Sequence, residues 1–261
     1  MPFLSARGLR FYYREQGAGD EPILFIHGNL ASGRWWEPVI SRLPSERYRM
    51  VALDLRGCGR SDKPETGYTV PELTEDVRAF VTAMGLGSFH LVGHSMGGAI
   101  ALLYALDHQT TVRSVTVIAP VPPDGLTLPD ELYPLMEEMR GDRVRLREGF
   151  LEFLPGLATD DFLEMLVDDA FNCHPACYRE LPRSFATLQF AERLATLRLP
   201  TLIVWGERDR LIPRTAMERL REAIPSSRWE ILQGIGHGPQ VEAPDRLVAL
   251  LSEFLASLGG K

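Results

Sequence analysis

The chain has 261 residues, of which 45% are hydrophobic and 24% charged, and it carries a net charge of −7. These values are typical of a globular protein with a sizeable core, and they give no indication of a nucleic-acid or membrane partner. The first residues show no basic start followed by an apolar run, and no stretch approaches the roughly 20 apolar residues that span a bilayer. We therefore expect a cytoplasmic protein that acts as a monomer or homodimer.

Buried strands and helices alternate through the first half of the chain. Residues 3–16 predict two short strands joined by a turn at Arg7-Gly8. Apolar runs predict four buried strands, at 21–28, 49–57, 89–95 and 112–121. Helical patterns lie between them, at 33–43, 71–84 and 97–108. Residues 58–69 are rich in turn formers and predict a loop.

The alternation is interrupted between about residues 122 and 185. Three segments there have apolar residues three to four apart, as helices do, at 128–140, 143–154 and 159–171. Strands (200–207, 228–234) and helices (215–224, 244–258) then alternate again. We predict an α/β fold: a mostly parallel, doubly wound sheet formed by residues 1–121 and 186–261, with residues 122–185 inserted as a helical cap.

The segment Gly93-His94-Ser95-Met96-Gly97 fits the pattern G-x-S-x-G, placed between a predicted strand and a predicted helix. Glycines two residues before and after the serine allow a sharp turn without side-chain clashes. Such a turn presents the hydroxyl at a helix N-terminus, where the helix dipole favours developing negative charge. Ser95 is therefore the candidate nucleophile.

Several landmarks in a fixed order then give a resemblance that spans nearly the whole chain. They are His27-Gly28, Asp54-Leu55-Arg56-Gly57 with Gly59-Arg60-Ser61, the serine turn, Val204-Trp205-Gly206 before Asp209, and Gly236-His237. The sequence resembles the α/β-hydrolase superfamily, whose chain order of nucleophile, acid and histidine is also met. The resemblance implies a helical cap over an α/β-hydrolase core and no cofactor.

A serine hydroxyl needs a base to remove its proton during attack, and histidine titrates in the right range. Of the six histidines, His237 lies in a glycine-bracketed loop between the last strand and the last helix. Asp209 follows a strand at the superfamily's acid position and is the predicted partner of that histidine. Asp124 is an alternative acid, ranked lower, and Glu207 falls too close to its strand end.

By resemblance, the backbone N–H groups of Asn29 and Met96 bind the oxyanion of the tetrahedral intermediate. The predicted pocket residues are Leu30, Trp36, Val121 and Ile212.

The remaining cysteines and histidines have structural interpretations. Cys173 and Cys177 flank a histidine, but with no fourth ligand nearby we expect no metal site there, and we interpret Cys58 as a small residue in a glycine-rich loop. We expect His94 to pack beneath the serine turn and His27 to be a hydrogen-bonded structural residue. His90, His108 and His174 are expected at the surface or in the cap.

These residues predict a serine hydrolase that cleaves carboxylic esters or lactones of small to medium apolar substrates through an acyl-enzyme. The apolar character of the cap indicates the substrate class. A carbon–carbon bond hydrolase and a cofactor-free perhydrolase keep the same three residues and remain alternatives. A different class also remains, namely a receptor-like relative that binds a ligand with little turnover. Ser95 argues against the dehalogenase and epoxide hydrolase branches, which use an aspartate nucleophile.

Overall fold

The computed structural model describes residues 2–157 and 160–259. Within these ranges, eight strands form one sheet in the order β1-β2-β4-β3-β5-β6-β7-β8. Strands β1 and β2 pair antiparallel with each other and β2 pairs antiparallel with β4, while the other neighbours are parallel. The strands are β1 (Phe3–Ala6), β2 (Leu9–Gln16), β3 (Glu21–Ile26), β4 (Tyr48–Leu53), β5 (Phe89–His94), β6 (Val112–Ile118), β7 (Thr201–Gly206) and β8 (Arg228–Leu232).

Both faces of the sheet are covered, which is why its central strands are almost continuously apolar. In β3, Leu24 and Ile26 pack into one core while Ile23 and Phe25 pack into the other. The first core includes residues of α2 (Val70–Met84), α3 (Met96–Asp107) and α8 (Arg214–Ala223). The second includes residues of α1 (Glu37–Ile40) and α10 (Pro244–Leu258). The predicted fold class, a mostly parallel α/β sheet wound on both faces, is confirmed.

Residues 122–185, between β6 and β7, are called the helical insertion below. In its described residues, four α-helices form most of this segment. They are α4 (Leu132–Met139), α5 (Arg143–Phe153), α6 (Asp160–Phe171) and α7 (Ala176–Phe185). The three helices predicted from apolar spacing correspond to α4, α5 and α6, although Thr159, where the third was predicted to begin, lies outside the described residues. The start of α7 follows Pro175, whose ring restricts the backbone as a helix start requires.

Polar contacts connect the helical insertion to the rest of the described chain, residues 2–121 and 186–259, which we call the sheet domain. Ser32 Oγ donates to Asp169 Oδ2 at 2.7 Å, and Arg34 forms an ion pair with the same carboxylate at 3.1 Å. The backbone N–H of His174 donates to the Gly57 carbonyl at 2.8 Å. These contacts place the insertion above the loops at the carboxyl ends of β3 and β4.

Three segments differ from the sequence prediction, one of which is a 3-10 helix at Ala191–Thr196 that was not predicted. Residues 33–43 form a short 3-10 helix at Gly33–Trp36 before α1, because Ser32 Oγ accepts from the Arg34 N–H and tightens the first turn. A further short helix, α9 (Pro239–Glu242), follows the His237 loop and was not predicted. Among the helices in the described ranges, none is long and apolar enough to cross a membrane.

Candidate active site

Ser95 lies at a sharp turn between β5 and α3, with φ of 53° and ψ of −120°. A positive φ is unfavourable for a residue with a side chain and persists only where the surroundings enforce it. Here the Ser95 N–H donates to the Ile118 carbonyl at 2.9 Å, and the Ser95 carbonyl accepts from Gly98 and Val121. A Cβ at Gly97 would overlap the Ile26 carbonyl oxygen, so glycine is required there. The turn leaves the serine half-buried at the wall of a cavity.

His237 and Asp209 form a buried hydrogen-bonded pair. His237 Nδ1 donates to Asp209 Oδ2 at 2.8 Å, and the aspartate side chain is fully buried. The second carboxylate oxygen, Oδ1, accepts from the backbone N–H groups of Leu211 (2.8 Å) and Ile212 (3.0 Å). Because Nδ1 carries the proton, the neutral imidazole keeps its lone pair on Nε2. His237 and Ser95 line the same cavity.

The alternative acids lie elsewhere. Asp124 forms an ion pair with Arg219 at 2.8 Å, and its side chain is 40% exposed. The carboxylate of Glu207 accepts from the Gly234 N–H at 2.9 Å. Neither has a hydrogen bond to His237, so of the three carboxylates considered, Asp209 is the one in contact with the histidine.

The two backbone N–H groups predicted as oxyanion donors make no hydrogen bond with any residue that the structure describes. Met96 is the first residue of α3, where backbone N–H groups have no partner within the helix. The N–H of Asn29 makes no hydrogen bond with any residue in the described ranges. The Asn29 side chain is fixed at both ends, because Oδ1 accepts from the Leu30 N–H at 2.9 Å and Nδ2 donates to the Cys177 carbonyl at 2.8 Å. This second bond joins the loop after β3 to the helical insertion.

Glu242 contacts the loop that carries His237, and the sequence analysis did not identify it. Its carboxylate accepts from the N–H groups of Gly238 (2.9 Å) and Gly236 (3.0 Å), on either side of His237, and from that of Gly156 in the insertion (2.9 Å). The N–H of His237 itself donates to the Phe153 carbonyl at 2.9 Å. The sequence signal, a glutamate four residues after a Gly-His-Gly loop, is too common to single out.

The other histidines divide into those with and without contact to the site. His94 Nε2 donates to the His237 carbonyl at 2.9 Å and its ring stacks on Trp35, consistent with packing beneath the turn, and burial holds its pKa well below the usual value. His27 donates from Nδ1 to the Gly28 carbonyl and accepts at Nε2 from the Leu55 N–H, as expected of a structural residue. The prediction for His90 was wrong, since it is buried in β5 beside Ser114.

A cavity of about 400 Å³ lies between the sheet domain and the helical insertion, within the usual size range of small-molecule sites. Of the residues proposed from the sequence for the pocket, Leu30, Val121 and Ile212 line it. Trp36 does not; its ring is fully buried against Phe25 beneath the sheet, and its neighbour Trp35 lines the cavity instead. Most of the remaining wall is apolar and comes from the insertion, including Leu132, Met136, Met139, Leu146 and Phe150.

Comparison with known proteins gives a consistent result. A family model described as "alpha/beta hydrolase fold" matches residues 21–167 and 174–244. Monoacylglycerol lipase abhd6-A from Xenopus laevis is 30% identical over 98% of this chain and 82% of its own. A 2-hydroxy-6-oxononadienedioate/2-hydroxy-6-oxononatrienedioate hydrolase from Escherichia coli is 27% identical over 97% of this chain and 93% of its own.

Among solved structures, an esterase from Exiguobacterium antarcticum superimposes with a TM-score of 0.89 at 25% identity, covering 98% of this chain and 99% of that one. The sequence landmarks, the sheet order and the family match therefore agree. The chain belongs to the alpha/beta hydrolase family.

Proposed function

We propose that this protein is a carboxylic-ester hydrolase in which Ser95 attacks the acyl carbonyl, His237 acts as the base and Asp209 orients the histidine. One observation carries the proposal. The serine at a strained strand-to-helix turn, the His237–Asp209 pair and the unpaired N–H of Asn29 all border one apolar cavity.

Each group has a defined role in the proposed cycle. His237 Nε2 takes the Ser95 proton as the hydroxyl oxygen bonds to the carbonyl carbon, and Asp209 stabilises the resulting imidazolium. The oxyanion is held by the N–H groups of Asn29 and Met96, each worth on the order of 10²–10³ in turnover. The imidazolium then protonates the leaving alcohol. Water, deprotonated by His237, hydrolyses the acyl-enzyme and restores Ser95.

The proposed substrates are esters or lactones with a small to medium apolar acyl group. The supporting feature is the cavity wall, which the leucine, methionine and phenylalanine side chains of the insertion dominate. Among the lining residues in the described ranges, Arg210 is the one arginine or lysine, and its guanidinium lies 3.7 Å from the Glu152 carboxylate. Glu152 also lines the cavity, so these two side chains together give it no net positive charge to attract a dianionic substrate. We therefore rank carbon–carbon hydrolysis of a dioate, the reaction in the Escherichia coli relative's name, below ester hydrolysis.

A series of p-nitrophenyl esters from acetate to decanoate, hydrolysed by wild type and Ser95→Ala, tests the proposal. We expect wild-type turnover that falls by about 10⁴-fold or more in the variant, because the attacking oxygen is lost. Equal melting temperatures would show that the variant is folded. Absence of wild-type turnover on every ester would contradict the proposal. Tight retention of an ester without cleavage would instead favour the receptor-like alternative.

A further inference from the structure

The three cysteines of the chain meet in one buried cluster, although 115 residues separate Cys58 from Cys173. Cys58 follows β4 in the sheet domain, whereas Cys173 and Cys177 belong to the helical insertion around the start of α7. The Sγ atom of Cys58 lies 3.6 Å from that of Cys173 and 3.9 Å from that of Cys177. All three sulfur atoms lie within 4.8 Å of one another, and all three residues are buried.

This spacing matches a three-coordinate metal site. Thiolate–metal bonds are about 2.3 Å long, so an ion at the centre of a sulfur triangle holds its ligands about 4 Å apart. The two separations from Cys58, 3.6 and 3.9 Å, are close to that arrangement.

Two backbone carbonyls contact the cluster, since the thiol of Cys173 donates to the Asp169 carbonyl (3.3 Å) and that of Cys177 to the Gly57 carbonyl (3.9 Å). The side-chain groups around it are engaged elsewhere. The hydroxyl of Tyr68 donates to the Pro64 carbonyl and that of Tyr178 to the Ala170 carbonyl, each at 2.7 Å. His27 Nε2 accepts from a backbone N–H. In residues 2–157 and 160–259, no histidine, aspartate or glutamate side chain joins the three sulfur atoms as a further ligand. A tetrahedral zinc ion would lack its fourth protein ligand, whereas Cu(I) is stable with three sulfur ligands.

We propose that Cys58, Cys173 and Cys177 bind one soft monovalent ion, Cu(I), which thereby joins the helical insertion to the sheet domain. Each thiol that binds as a thiolate releases its proton to solvent, so that binding is weaker at low pH. Lys63 supplies positive charge beside the cluster, because its ammonium donates to the carbonyls of Gly59 (3.2 Å) and Asn172 (2.6 Å). The same lysine therefore spans the two segments that bring the cysteines together.

The site has a structural connection to the active site. The carbonyl of Cys177 accepts the Asn29 side-chain N–H at 2.8 Å, and the backbone N–H of Asn29 is the proposed oxyanion donor. The proposal itself does not depend on the esterase function, since metal binding is measured directly.

The test is an anaerobic titration of the reduced full-length protein with Cu(I), in competition with the chromogenic chelator bicinchoninate. We expect one equivalent bound per chain, with an affinity that falls at least about 100-fold when any one cysteine is replaced by serine. His174→Ala is the matched control, because this residue lies between two of the ligands without coordinating, and we expect it to bind as wild type does. Melting temperatures without metal show whether each variant is folded.

X-ray absorption of the Cu(I)-loaded wild type gives a test that needs no variant. Three sulfur neighbours at about 2.3 Å are expected. Two sulfur neighbours, a Cu(I) affinity unchanged in all three serine variants, or loss of binding in a folded His174→Ala variant would each overturn the proposal. Tighter binding of Zn²⁺ than of Cu(I) would overturn it as well. So would finding one titratable thiol instead of three in the denatured protein as isolated, because that result reveals a disulfide.

Discussion

At the scale of single residues, two aspartates that follow strands have opposite surroundings. Asp209 is fully buried and contacts His237 at 2.8 Å, whereas Asp124 is 40% exposed and pairs with Arg219. In Asp209→Asn, the amide can donate to Nδ1 and thereby favour the wrong histidine tautomer, with no negative charge to stabilise the imidazolium. We expect kcat to fall by about 10⁴-fold. Ester hydrolysis measured with enzyme of equal folded fraction checks this expectation.

Asp124→Asn is the matched control for that experiment. It removes a surface carboxylate whose ion pair with Arg219 is worth no more than about 1 kcal/mol. We expect unchanged kcat and a nearly unchanged melting temperature. If this variant lost activity while Asp209→Asn retained it, Asp124 would be the acid and the assignment would be wrong.

His90 gives the protein a dependence of stability on pH. Its Nδ1 lies 2.7 Å from Ser114 Oγ, and its Nε2 lies 3.9 Å from Glu21 Oε2 but has no hydrogen-bond partner among the described residues. Burial together with Arg113 lowers its pKa to about 4, against the weaker opposing effect of Glu21. The unfolded chain has the ordinary value near 6.5. The folded state therefore favours the neutral form of His90. The stabilisation that this preference gives is complete above pH 6.5 and is lost as the pH falls towards 4.

Removing this titration flattens the stability profile. Between pH 8 and pH 5, the free energy of unfolding should fall by about 2 kcal/mol more in wild type than in His90→Asn. Urea unfolding at the two pH values measures the change in unfolding free energy of each protein. Comparing these changes removes any pH-independent effect of the substitution on stability. His108→Asn, at a half-buried position after α3, should retain the wild-type difference. Equal slopes in wild type and His90→Asn would show that His90 stays neutral in both states or charged in both.

At the scale of elements, the loop at residues 236–238 is held from one side by a single carboxylate. Glu242 accepts from Gly236 and Gly238 and also from Gly156 in the helical insertion. In Glu242→Gln one oxygen remains and an N–H₂ group faces backbone donors, which costs about 1–3 kcal/mol. We expect kcat to fall about 10- to 100-fold with little change in KM, because the change misplaces His237 and not the substrate.

Glu222→Gln, on the exposed side of α8, is the control for this substitution and should behave as wild type. Both variants are assayed well below their melting temperatures, so that the folded fraction is the same. A purely structural role for Glu242 would lower the melting temperature and leave kcat per folded molecule unchanged. That result would contradict the positioning role.

The elements that were predicted well are those with local signals. The strands are apolar runs bounded by turn residues, and α2 begins after Thr69, whose hydroxyl caps the Glu72 N–H, and ends at Gly85 with φ of 69°. The wrong assignment of Trp36 to the cavity arose because neighbouring side chains in any helical turn point about 100–120° apart, so adjacent tryptophans face different surroundings and the sequence does not show which one faces the cavity.

Contacts between distant segments could not be predicted from local sequence signals. The meeting of Cys58 with two cysteines of the insertion, and that of Glu242 with Gly156, depend on how the insertion packs on the sheet domain. His90 is a different case, since the strand 89–95 was itself predicted to be buried, and a histidine within it should have been assigned to the interior. The joint catalytic role of Ser95, His237 and Asp209 remains a prediction for the experiments above.

At the scale of the whole molecule, the cavity exists because two units face each other. The sheet domain contributes Ser95 and His237, while the helical insertion contributes most of the apolar wall. If the proposed function holds, the catalytic residues and the residues that limit substrate size come from different parts of the chain. A substitution in the insertion should change which acyl chains are accepted without changing the attack on the carbonyl.

Met136→Trp tests this separation. Met136 lies on α4 and lines the cavity, so a larger side chain there takes up room that a long acyl chain would fill. Each methylene group excluded from an apolar site costs about 0.8 kcal/mol, and loss of room for about two of them lowers kcat/KM by roughly 15-fold. We expect such a loss for the decanoate ester and a change of less than about threefold for the acetate ester.

Val144→Trp is the matched control, because Val144 belongs to the same insertion but is 66% exposed and does not line the cavity. It should leave the chain-length profile as in wild type. Equal losses on acetate and decanoate in Met136→Trp would mean that the substitution disturbs the site as a whole. An unchanged profile would place the acyl chain elsewhere, against the part of the cavity wall that the sheet domain forms around Val121 and Ile212.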